Sequence, residues 1–182
     1  MRDKTKWDLR YLVMAAHVGT WSKDPSTQVG AVITTADGKP ISFGFNGLPA
    51  QINDDPEILN DRERKYNYII HGEINALLFA GGSIRGGTLY THPFRPCPRC
   101  AVQFVQSGIS RVVFPVGVPE RWADACRLTD DIFRQAGVET ASYTDSEILA
   151  ATRRVKASLD LASQHLQMYQ TSSTQPHLHS ET

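Results

Sequence analysis

From Ile69 onward, short β-branched runs alternate with amphipathic stretches, and this alternation limits the fold more than any other feature of the chain. Thr88–Thr91, Arg111–Val116 and Val138–Tyr143 read as strands. Helices are expected over Gly72–Phe79, from near Cys97 to Gly108, and over Glu120–Ala136, with Gly81-Gly82, Gly108 and Gly137 as stops. Strand–helix repeats of this kind build an α/β sheet with parallel pairing. Upstream, Gln28–Thr35 and Ile41–Phe45 flank Asp37-Gly38, a hairpin signal, so the sheet is expected to be mixed. A first helix over Thr5–Val18 places Trp7, Tyr11, Met14 and Val18 on one apolar face. Leu48–Asn67 is a long polar segment, which inside one domain is functional or partly helical.

The chain divides into an α/β domain over residues 1–144, a helix over 145–170 and a polar tail over 171–182 that lacks the apolar content for a core. The helix carries Ile148, Thr152, Val155, Leu159, Ala162, Leu166 and Tyr169 on one stripe. Such a stripe packs on its own domain or contacts a second subunit.

Composition removes several functions. The 182 residues hold 19 basic and 19 acidic side chains, so the net charge is zero. General nucleic-acid binding needs a basic face and is not expected. No apolar run approaches the ~18 residues of a membrane helix, and the N-terminus lacks a signal-peptide core. Three Cys, few and odd in number, argue against a disulfide framework and for a reducing compartment, the cytoplasm.

Those Cys matter for another reason. Cys97 and Cys100 sit in Pro96-Cys97-Pro98-Arg99-Cys100 at an expected helix start, where the dipole favours thiolate. His71 opens another helix, in His71-Gly72-Glu73. One imidazole and two thiolates suit zinc, and three protein ligands leave the fourth position open, as in catalytic sites. His92 is the candidate that could close the site and make it structural, while Cys126 reads as a packed small hydrophobe. Glu73, in the same turn as His71, can take a proton from zinc-activated water and deliver it to a leaving group. H-x-E followed by P-C-x-x-C is the signature of zinc-dependent nucleobase deaminases.

Within that superfamily the chain resembles the deoxycytidylate (dCMP) deaminase family. The resemblance runs from Trp7 to Tyr143 through Ser22–Val32, Gly44-Phe45-Asn46-Gly47, Lys65–Ala76 and Gln106–Ile109. It implies a three-layer α/β/α fold with a mixed five-stranded sheet, to which the C-terminal helix is an addition. It implies hydrolysis of dCMP to dUMP and ammonia, with one zinc per subunit on His71, Cys97 and Cys100 and Glu73 as proton shuttle. Asn46 and Gly72 would face the nucleotide, and Lys23, Ser26, Thr27, Arg95 and Arg99 are candidates for its 5′-phosphate. The family also implies a homo-oligomer, dimer or hexamer, and dCTP with Mg2+ as an allosteric effector.

The chain departs from the family pattern at Gly72, where Ala is usual, and in a lengthened Thr91–Cys97 approach to the first Cys. Both point to a pocket that accepts a 5-substituted dCMP. Leu48–Ile70 holds no His or Cys, so no second zinc is expected there. The competing readings are a tRNA or nucleoside deaminase of the same superfamily and a non-catalytic, zinc-stapled module.

Overall fold

The computed structural model describes residues 3–117 and 119–172, with side chains through Gln164. Helix α1 (Lys4–Gly19) starts where the Asp3 carboxylate accepts from the Lys6 amide at 3.2 Å. Its buried face carries Asp8, Tyr11, Leu12, Ala15 and Val18. Met14, expected on that face, is 42 % exposed. The helix is turned toward its Asp8–Ala15 side because Asp8 bonds to the sheet beneath it.

Strands β1 (Gly30–Thr34) and β2 (Pro40–Phe45) form the hairpin, with Gly38 at φ 78° in the turn. The polar segment that follows folds into two short helices, α2 (Pro56–Asn60) and α3 (Arg62–Tyr68). The carboxylates of Asp55 and Asp61 cap them. Then come α4 (Gly72–Phe79), β3 (Thr88–His92), α5 (Pro98–Gln106) and β4 (Arg111–Pro115). A single 3₁₀ turn (Glu120–Trp122) precedes α6 (Ala123–Gln135), β5 (Glu139–Tyr143) and α7 (Asp145–Ser172).

The sheet order is β2-β1-β3-β4-β5. β1 is antiparallel to β2 and β3, while β3, β4 and β5 run parallel. The sheet is therefore mixed and five-stranded, as the sequence implies. Neighbouring strand residues face opposite layers. Ile33, Leu89 and Val112 pack with Ala76 of α4, Phe104 of α5 and Phe133 of α6. Val32, Tyr90 and Val113 pack with Tyr11 and Leu12 of α1 and Ile148 of α7.

On this second face, Asp8 is 2 % exposed and accepts four hydrogen bonds. Arg111 donates two at 2.7 Å, Tyr143 one at 2.8 Å and Tyr90 one at 3.2 Å. The Arg111 Nε donates to Glu139 at 2.8 Å. Burial and the Asp8 charge push the Tyr90 hydroxyl well above its ordinary pKa, so it stays a donor. The network stitches α1 to β3, β4 and β5.

Among the described side chains, helix α7 is buried against the domain at its start. Ile148 is 5 % exposed, but Val155 and Leu159 are 51 % and 64 % exposed. Leu166 and Tyr169 of the expected stripe lie outside the described side chains, and the expected tail lies outside the described residues from 173 on. Among the described residues no helix is long and apolar enough to cross a membrane.

Candidate active site

Two helix N-termini converge where β1 begins and β3 ends. Ile70 and Gly47 exchange backbone hydrogen bonds at 2.9 and 3.1 Å, which fixes the chain just before α4. His71 is then the N-cap residue of α4, in extended backbone conformation. Cys97 is the N-cap residue of α5, with Pro98 at the first helical position, where a missing N–H costs nothing. Cys100 follows one turn later and is buried.

These three residues form the metal-competent His/Cys/acid group among the described residues. The His71 Nδ1 lies 3.3 Å from the Cys100 Sγ and 3.6 Å from the Cys97 Sγ. The two sulfurs are 3.6 Å apart. A tetrahedral zinc with ordinary bond lengths requires about 3.6 Å between N and S and about 3.8 Å between sulfurs. The donor set and its spacing therefore fit zinc. His92, the expected alternative fourth ligand, is not part of the group. Its half-buried ring has a lowered pKa because of burial.

The electrostatics set the three donors apart: Cys97 favours its thiolate, while hydrogen bonding to Cys97 raises both Cys100 and His71 and keeps their protons on. Hydrogen bonding from the Cys100 thiol, then from His71, pulls Cys97 down to about 4. Glu73 is 4 % exposed, and burial raises its carboxyl to about 6, partly opposed by His71. A carboxyl placed there exchanges a proton near neutrality, as a shuttle must.

Above these groups opens a cavity of about 620 Å³. Asp24, Ser26, Thr27, Asn46, Arg62, Lys65 and Tyr66 line one side, and Phe94, Arg95, Arg121, Trp122 and Cys126 the other. Cys126, expected to be packed away, is half-buried on this wall, outside the metal group. The Phe94 and Trp122 rings meet edge to face at 4.9 Å.

The first wall is one polar network. Asp24 and Lys65 form a buried ion pair at 2.9 Å, with 5 % and 6 % side-chain exposure. Lys65 also donates to the Ser26 hydroxyl at 2.9 Å. Asp24 accepts from the amides of Ser26 and Thr27 at 2.8 and 3.3 Å. Asn46 accepts from the Val29 amide at 2.7 Å and donates to Thr27 O and Asp24 at 2.9 and 3.3 Å. The Asn46 side chain thus holds the wall together.

Other expected contacts separate. Lys23 is paired with Asp54 at 2.5 Å on the exposed surface and does not line the cavity; Arg99 is also exposed. Arg95 lines the cavity, yet it is tied to Asp130 at 2.5 and 2.6 Å and lies over Phe114. Together with the Thr129 hydroxyl, which donates to Pro96 O at 3.0 Å, it fastens the Cys97 approach to α6. Gly72 lines the cavity, as expected, but its missing side chain has a reason the sequence hides. A Cβ there would lie 2.8 Å from Val29 O and 3.2 Å from Asn46 N, so the missing methyl admits backbone rather than base. Lys65, Asp24, Arg62 and Trp122 escaped sequence reasoning; the only signal was the family-like stretches that contain Asp24 and Lys65.

The family described as cytidine and deoxycytidylate deaminase zinc-binding region matches residues 5–116. An uncharacterized deaminase of Aliivibrio fischeri is 44 % identical over 138 residues, covering 74 % of this chain and 92 % of that protein. The deoxycytidylate deaminase of Mus musculus is 31 % identical over 150 residues, covering 78 % and 82 %. The dCMP deaminase of cyanophage S-TIM5, solved with dCMP and dUMP, shares the fold. It has a TM-score of 0.60 at 24 % identity, over 79 % of this chain and 99 % of that one.

Proposed function

The chain belongs to the cytidine and deoxycytidylate deaminase family, and from that footing we propose that it hydrolyses dCMP to dUMP and ammonia above His71, Cys97 and Cys100. The observation that carries this reading is the set of N···S and S···S separations matching a three-ligand zinc, with the raised carboxyl of Glu73 two residues from His71. A zinc ion held there supplies Lewis-acid character and makes water acidic enough to react at neutral pH. Glu73 takes one proton from the water whose oxygen bonds to C4 and passes it to N3 of the cytosine, then carries the second water proton to the amino group, so that the C4–N bond breaks, ammonia leaves and the C4 carbonyl of dUMP remains.

The remaining residues bind and orient. Lys65 spends two of its three N–H donors on Asp24 and Ser26 and lines the cavity, so the 5′-phosphate is assigned to this end. Ser26, Thr27 and Arg62 stand beside it. Asn46 keeps that wall in register through its three hydrogen bonds. Phe94 and Trp122 supply apolar surface for the base.

The test is ammonia release from dCMP, CMP, deoxycytidine and AMP, alone and with dCTP and Mg2+. dCMP is expected to exceed deoxycytidine at least tenfold in kcat/KM; equal rates, or none with dCMP, overturn the reading. Stimulation by dCTP with Mg2+ would add the expected effector.

A second reading, a 5-substituted dCMP, is favoured by the lengthened loop that sets Phe94 in the cavity wall. Gly72 gives it no support, since its open side faces Val29 O. Turnover of 5-methyl- or 5-hydroxymethyl-dCMP faster than dCMP would establish it.

A further inference from the structure

We infer that α7 is an assembly device: its exposed seam pairs with the same seam of a second copy of this chain in a coiled coil. The stripe Ile148, Thr152, Val155, Leu159, Ala162, Leu166, Tyr169 advances by alternating steps of four and three without a fault. That is the heptad spacing of a coiled-coil seam, not the broader face of a helix packed on a domain. Among the described side chains, the body covers the beginning of the seam. Ile148 is buried and Thr152 half-buried, while Val155, Leu159 and Ala162 are exposed.

Among the described residues no other element covers Val155, Leu159 or Ala162. Helix α7 has 28 residues and spans about 42 Å, and it holds no Gly or Pro at which to fold back. A solitary helix displaying such a seam gains most of its stability from a packed partner.

The flanks of the seam indicate that the partner is an identical copy. Positions 149, 156 and 163 on one side are Leu, Lys and Ser, and positions 151 and 158 on the other are Ala and Ser. Lys156 is the single fixed charge among them. Arg153, Arg154 and Asp160 fall outside the flanks. Seams that select a different partner carry complementary charges at these positions. Here two identical seams meet without rows of like charge.

The inference is independent of the reaction, because its readout contains no catalytic step. The mass of the purified full-length chain is measured by light scattering across a dilution series. The wild type is expected as a multiple of the subunit mass. Val155→Glu with Leu159→Glu is expected to halve that mass or reduce it further, with the thermal unfolding of the α/β body retained. Ala162→Leu, an enlarged seam residue, is expected to lower the concentration of dissociation about tenfold, a gain that misfolding cannot imitate. Ala157→Leu, on the opposite face, is expected to change nothing. A monomeric wild type, an unchanged mass in the Glu double variant, or no tightening by Ala162→Leu would each overturn the inference. So would a foreign chain displacing the wild-type self-association.

Discussion

Two buried acid–base pairs hold this domain together, and they differ in what they leave unused. On the face under α1, Asp8 receives four hydrogen bonds, and all three guanidinium nitrogens of Arg111 are engaged. Beside the cavity, Asp24 is equally well bonded, but Lys65 gives Asp24 and Ser26 only two of its three donors. A planar fork matched to a carboxylate makes a closed structural clamp. A compact ammonium at a cavity wall keeps capacity for a further anion. Similar charge chemistry thus closes on itself on one face and leaves a donor to spare at the cavity on the other.

Substitutions separate the two pairs by what they cost. The largest effect is expected from a residue outside both pairs: Glu73→Gln should cut kcat about 10³-fold or more. Metal content and thermal stability should match the wild type, and retained turnover would sink the proposed role of Glu73. Next, Asp8→Ala leaves Arg111 buried without its partner and should cost about 3–5 kcal/mol. Urea unfolding reads this as a lower midpoint, with little change in kcat for the folded enzyme.

Lys65→Met should behave the other way. Loss of the anion contact should lower kcat/KM for dCMP about 10–100-fold while changing that for deoxycytidine far less. Equal losses on both substrates would make Lys65 a second structural clamp and erase the distinction. Buried Asp24 then lacks its cation, so some stability is lost too.

The smallest effect concerns Glu139, at the outer end of the Asp8 pair. Hydrogen bonding to Arg111 lowers its carboxyl from the ordinary value. Its contribution is therefore complete above the unfolded-state value of about 4.3 and is lost as pH falls through that value toward the folded one. With a half-exposed side chain it amounts to less than about 1 kcal/mol. Wild type and Glu139→Gln should differ slightly in Tm at pH 7 and converge in acid.

The parts of the site that were legible in the sequence are those set by local spacing. His71 with Glu73, and Cys97 with Cys100, lie within single helical turns, so the alternating pattern places them at helix starts. The supporting wall was not legible. Lys65 reaches Asp24 across 41 positions and Asn46 reaches Asp24 across 22, and no periodicity encodes such contacts. Met14 misled for a related reason: apolar spacing cannot register that a buried Asp8 turns α1 on the sheet. Gly72 looked like room for a larger base, because a missing side chain reveals nothing about which neighbour approaches. The mixed character of the sheet followed from the hairpin and the strand–helix repeats, whereas the folding of Leu48–Asn67 into α2 and α3 left only the weak signal of length.

The close approach of Gly72 to Val29 bears on how this enzyme could be recombined. An Ala at position 72 would press its methyl group on the Val29 carbonyl at 2.8 Å. The start of α4 and the strand lead-in at Val29 therefore form one dovetailed joint. A chimera that exchanges the His-Gly-Glu helix alone should fit poorly, and one that exchanges it together with residues 28–46 should fit well.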